Sequence, residues 1–218
     1  MARAERTYHG IEAEQKLLDL TGLGIEVFRR AAQMGFAERA NCNVFATVTT
    51  PGPAAWRYPS RFIRSACFDA GWRLDNPKNL PLAVSDELKI NLTVSSGDEV
   101  TGLVYSSKQP RTKNPKGSIL EAAVTRNTNQ VPLFPELEPE NIREFHHTLG
   151  YPTWVFLLYI TDDEIRAELS LPNEMDGSDH ITGWAERIII GVMPPDVIGE
   201  DFEPETGPDI LPEITVNM

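Results

Sequence analysis

Thr153-Trp154-Val155-Phe156-Leu157-Leu158-Tyr159-Ile160, then Thr161-Asp162-Asp163, then Glu164-Ile165-Arg166-Ala167-Glu168-Leu169-Ser170-Leu171 is the stretch that decides the fold. The first segment is a nearly continuous apolar run. The second is a turn. The third alternates, with Ile165, Ala167, Leu169 and Leu171 on one face. Together they read as a β-hairpin whose first strand is central in a sheet and whose second has one wet face. Ile181 to Val192 supplies a third strand, begun by an irregular piece around Trp184.

Outward from this hairpin the pattern changes. Residues 10–39 carry Leu17, Leu20, Val27, Phe28, Ala31 and Ala32 at helical spacing, and Gly22 and Gly24 divide them into two helices. Residues 43–50 are β-branched and alternating and read as a strand ended by Pro51-Gly52-Pro53. A further helix starts near Pro59, with Phe62, Ile63, Ala66, Cys67 and Ala70 as its apolar stripe. Strands are expected at 80–84, 88–95, 101–105 and 119–124, and another helix over 139–149. Early helices, later strands and no regular βαβ alternation give the class α+β: N-terminal helices packed on a mainly antiparallel sheet. The chain divides into a single globular domain over residues 1–193 and a flexible, acidic, Pro-rich tail over 194–218.

Charge is divided unevenly along the chain. Residues 1–130 hold 17 Lys and Arg against 13 Asp and Glu, a net of +4; residues 131–218 hold 3 against 19, a net of −16. The tail holds seven acids, no Lys or Arg, and isolated apolar residues. Such a segment cannot bury enough surface to fold alone, and its acidic-hydrophobic composition is that of a docking segment. The expected function is therefore non-enzymatic: an interaction or accessory protein that binds a basic protein partner. The tail contributes Phe202, Glu203, Glu205, Asp209, Ile210 and Leu211, and the turn Asp162, Asp163 and Glu164 forms a second acidic patch. An acidic mimic of DNA is an alternative on the same composition.

Other candidates are local. Lys108, Arg111, Lys113 and Lys116 lie within nine residues, without an intervening acid, as phosphate contacts would. Nucleic acid is the less favoured partner, because a chain of net charge −12 repels it. Trp56, Arg57, Tyr58, Arg61, Phe62 and Arg64 mix cations with aromatics, as single-strand binders do, but also fit a solvated helix face. Glu140, Glu144 and His147 would share one face of the helix at 139–149, and Glu174 to His180 fails the calcium-loop spacing and reads as a hairpin loop.

Asp75 and Glu87-Leu88-Lys89, followed by alternation to Val94, resemble the PD-(D/E)xK nuclease superfamily over that short span. The resemblance implies carboxylates that hold Mg²⁺ and a lysine that positions or activates the attacking water. The chain departs from the pattern: no Pro precedes Asp75, and Ser85-Asp86 interrupts the strand before Glu87. No cofactor is expected outside this nuclease alternative. No phosphate loop, nucleophile elbow or dinucleotide fingerprint occurs in the sequence. Two cysteines, Cys42 and Cys67, make no disulfide framework, and no apolar run reaches membrane-spanning length. The N-terminal residues lack a signal-peptide core, so a cytoplasmic protein is expected.

Overall fold

The structure, a computed structural model, describes residues 6–42, 51–128 and 150–194. The expected strand at 43–50, the helix at 139–149 and the tail from 195 onward lie outside these residues. Two helices, α1 (Ile11–Thr21) and α2 (Ile25–Ala40), occupy the first segment. Gly22 separates them at φ 71°, a left-handed conformation that costs glycine little, and its N–H donates to Leu18 O at 2.8 Å. On α2, Phe28, Ala31, Ala32 and Gly35 form the buried stripe.

Helix α3 (Pro51–Asp69) starts eight residues before the expected position and contains Pro59 in its interior. Proline supplies no N–H for the carbonyl of Ala55, four residues earlier. That carbonyl lies against Gly35 of α2: a Cβ there would sit 2.6 Å from Ala55 O and 2.6 Å from Pro59 Cγ. The interior proline is thus tolerated at a close helix crossing, where buried Pro59 packs on a residue with no side chain.

Among the described residues seven strands make one sheet: β1 (Arg6–Tyr8), β2 (Arg73–Asp75), β3 (Leu82–Ser85), β4 (Ile90–Ser96), β5 (Thr153–Ile160), β6 (Ile165–Met175) and β7 (Ile181–Met193). Their order is β1-β7-β6-β5-β4-β3-β2, so β5 is central as its apolar run implies. The α+β class holds, but the sheet is mixed and not mainly antiparallel. The β1–β7 and β4–β5 pairs are parallel; the other pairs are antiparallel. The reason is connectivity. A hairpin joins only antiparallel neighbours, and β4 reaches β5 by a long crossover.

That crossover contains α4 (Ser118–Asn127), where the sequence suggested a strand at 119–124. Ile119, Leu120, Ala123 and Val124 are all buried, a spacing that only a helix brings to one face. Asn127 then ties α4 to the sheet. Its amide donates to Thr153 O (3.0 Å) and Pro172 O (2.9 Å) and accepts from Thr153 N–H (2.9 Å). The expected strand at 101–105 is absent for a local reason. Gly102 sits at φ 75°, and a Cβ there would meet Arg166 Cβ at 3.0 Å and Ala167 N at 3.1 Å.

Two apolar layers flank the sheet. Helices α1, α2 and α3 cover one face through Leu17, Phe28 and Ile63, which pack with Leu92, Phe156, Leu169 and Ile188. Phe28 and Phe156 meet edge to face at 5.2 Å between centroids. On the other face α4 packs with Val155, Leu157, Ile181 and Trp184. The crossover loop covers the rest: Trp184 Nε1 donates to Pro110 O at 2.7 Å, and Gly102 lies over β6. Residues 165–170 of β6 are consequently buried on both faces, so the strand has no wet face there.

Candidate binding groove

A concavity lies along the outer side of α3. It holds about 610 Å³, within the usual range for ligand sites. Arg57, Arg61, Arg64 and Phe68 follow one another at spacings of four, three and four residues, so α3 presents them as one stripe. Tyr58 flanks the stripe. Leu74 of β2 and Pro81 before β3 form the opposite wall. Phe68 is 62% exposed and Leu74 42%, large apolar surfaces left open beside the guanidinium groups. Trp56 anchors the upper end, donating from Nε1 to Val94 O of β4 at 2.9 Å. None of the three arginines has a hydrogen bond or ion pair with another described residue, and Nε of Arg64 is buried without a partner. The cation-aromatic cluster seen in the sequence is therefore a formed groove. Phe62 is the exception: it turns toward the core and packs under Arg30, 6.0 Å from its ring centroid.

The basic loop lies against the opposite face of the sheet and is not free. Its Thr112 donates its backbone N–H to Ile181 O (3.1 Å), and Lys113 N–H donates to Ser96 O (2.9 Å). Arg111 pairs with Asp176 at 2.7 Å. The Asp176 carboxyl is held below its usual range, first by the N–H of His180, then by the N–H of Ser178 and by Arg111. It closes the β6–β7 hairpin loop rather than facing a ligand. Lys108 and Lys113 are exposed. Lys116 is half-buried beside the start of α4 with Lys78 nearby, in a smaller hollow of about 170 Å³. Burial pulls its ammonium down to about 8.

The acidic turn sits at the tip of the β5–β6 hairpin. Asp162 pairs with Arg39 at 3.0 Å, and Glu164 pairs with Arg166 at 3.1 Å. Asp163 is exposed and has no ion pair among the described residues. The tail candidates Phe202, Glu203, Glu205, Asp209, Ile210 and Leu211 lie outside the described residues.

Asp75, Glu87 and Lys89 are not brought together. Asp75 stands opposite Leu82 at the start of β3, whereas Glu87 and Lys89 occupy the turn after its end at Ser85. Three residue steps of strand, about 10 Å, separate those ends. Asp75 contacts Arg73 (3.3 Å) and the N–H of Asn76 (2.8 Å). Lys89, in the left-handed region at φ 57°, lays its ammonium over the ring of Tyr151 at 5.2 Å. Among the described residues no three His, Cys, Asp or Glu side chains group as a metal site.

One charged pair was not singled out from the sequence. Glu168 and Arg187, on β6 and β7, form a buried bidentate ion pair of 3.1 and 2.5 Å. Glu168 also accepts from Ser170 Oγ (2.7 Å) and from the N–H of Gly102 (2.7 Å). Arg187 donates in addition to Leu103 O at 3.4 Å. The pair fastens the crossover loop to the sheet. Its signal was present: a Glu inside a strand whose flanks are apolar needs a partner if it is buried.

No family model matches the chain, and neither the curated proteins nor the solved structures hold a significant match to it. No described helix is long and apolar enough to cross a membrane.

Proposed function

We propose that the protein is a non-enzymatic interaction or accessory protein that binds a basic protein partner through its acidic C-terminal region. The observation that carries this reading is the division of charge, +4 over residues 1–130 and −16 over 131–218. In the tail, Phe202, Ile210 and Leu211 are the anchors, and Glu203, Glu205 and Asp209 steer them toward a basic surface. Asp163 at the hairpin tip adds exposed charge on the same half of the chain. The DNA-mimic alternative uses the same acids and requires competition with DNA for the partner. The nuclease alternative gains nothing from the placement of Asp75, Glu87 and Lys89.

The test is quantitative affinity capture from host cells with two full-length baits, native and Phe202→Ala/Ile210→Ala/Leu211→Ala. A protein with a basic surface, held by the native bait and released by the variant or by high salt, is the expected result. Equal recovery on both baits removes the tail anchors from the interaction.

A further inference from the structure

We infer that the groove on α3 is the docking site of the chain's own acidic tail, so that residues 195–218 fold back onto Arg57, Arg61 and Arg64. This inference stands whether or not an external partner exists; taken with the proposed function, it makes that partner a competitor of the groove.

Three observations converge. The first is charge. The groove carries three guanidinium groups with no described partner, and Nε of Arg64 is buried without a hydrogen bond. Such a group is costly unless something accepts from it. The tail carries seven acids and no cation. The second is apolar surface. Exposed Phe68 and Leu74 line the groove beside the arginines, and the tail intersperses Phe202, Ile210, Leu211 and Ile214 among its acids. The basic loop on the other face is less suited: Arg111 is already paired with Asp176, and exposed Lys108, Lys113 and Tyr105 line neither of the two hollows described.

The third is reach. Met193 pairs with Ile165, Ile165 with Ile160, and Leu158 with Ser96. The chain therefore leaves β7 at the edge of the sheet where β4 and β5 also end. Trp56 of α3 is bonded to Val94 near that same edge, and Pro81 accepts from Thr93 beside it. From β7 to β2 the order spans five strand spacings, about 24 Å. The eight residues from Pro195 to Phe202 extend up to about 27 Å, and Leu211 reaches further. A tethered segment within reach acts at an effective concentration of order millimolar, so modest contacts suffice to hold it.

The experiment uses the full chain with Cys42→Ser and Thr206→Cys, a nitroxide on residue 206 between the proposed anchors, and paramagnetic broadening of backbone amide signals. Cys67 is buried, with its thiol pushed up to about 12, and takes no label. Docking gives broadening strongest at the groove-lining residues of α3 and at Leu74, falling off with distance from them. Arg57→Glu/Arg61→Glu, both on the exposed side of α3, removes it. So does 1 M salt, which shortens the screening length to about 3 Å. Broadening spread evenly, or centred on residues 108–116, overturns the inference. A groove that shows no broadening but binds a labelled oligothymidylate in an Arg61-dependent way also overturns it and assigns the site to single-stranded nucleic acid. None of these outcomes depends on whether an external partner is captured, so failure here is separable from failure of the proposed function.

Discussion

Replacing Glu168 by alanine strands the guanidinium of Arg187, whose residue is 3% exposed, inside the protein. The substitution removes both ion-pair contacts and leaves the N–H of Gly102 and the hydroxyl of Ser170 without their acceptor. Breaking a buried pair from one side costs about 3–5 kcal/mol, because the remaining charge is neither solvated nor paired. That is at least about a fifth of the about 5–15 kcal/mol that holds an ordinary domain together. Glu168→Leu/Arg187→Met removes both charges and keeps most of the volume. It still orphans Gly102 N–H and Ser170 Oγ, each worth about 1–3 kcal/mol when desolvated. The double variant is therefore expected to lose clearly less than the sum of the two single losses, by about 2 kcal/mol or more. Urea unfolding at neutral pH, with the slope m checked for constancy, reads these values. A loss under about 1 kcal/mol for Glu168→Ala, or additive single losses, would refute the view that this pair fastens the crossover loop.

Gly35→Ala is expected to destabilise by about 1–3 kcal/mol, since its Cβ would fall 2.6 Å from both Ala55 O and Pro59 Cγ at the α2–α3 crossing; thermal unfolding checks it. Lys116→Met is expected to stabilise at pH 7 by on the order of 1 kcal/mol, discounted for its remaining solvent contact. The sign follows from its ammonium lying at about 8 when folded against 10.5 ordinarily. Between those values the unfolded chain binds the extra proton, so native stability rises with pH across that window and the Met variant lacks the rise. Cys67, buried and with its thiol pushed up to about 12, is expected to resist thiol reagents in the native protein while half-buried Cys42 reacts; mass spectrometry of labelled, then unfolded, protein distinguishes the two.

The β5–β6–β7 meander was legible because its signal is local. An eight-residue apolar run, a polar turn and an alternating strand admit few other arrangements. The Gly22 break was legible for the same reason. The failures came where tertiary context decides. Ile119-Leu120-Glu121-Ala122-Ala123-Val124 is short and apolar, which suits strand and helix alike; the need to cross from β4 to a parallel β5 made it helix. Pro59 marks a helix start by propensity, yet close packing against Gly35 carries α3 through it. Buried Glu168 looked like a wet-face residue because its partner is on a neighbouring strand and its loop donor lies 66 residues away. The α3 cluster was visible in composition, but whether it was an ordinary solvated helix face or one wall of a groove depended on Leu74 and Pro81, which no helical pattern reveals. In the nuclease-like spelling, Glu87 and Lys89 fall in a turn, where alternate residues no longer share a face as they do on a strand.

The most direct test of the central claim, that the acidic C-terminal region mediates binding to a basic partner, is affinity capture from the native host with the full chain and with residues 1–193 as baits, circular dichroism confirming that both are folded. A basic protein retained by the full chain and lost with the truncation is the result expected here. The same proteins on both baits, or nuclease-sensitive nucleic acid retained equally by both, would contradict it.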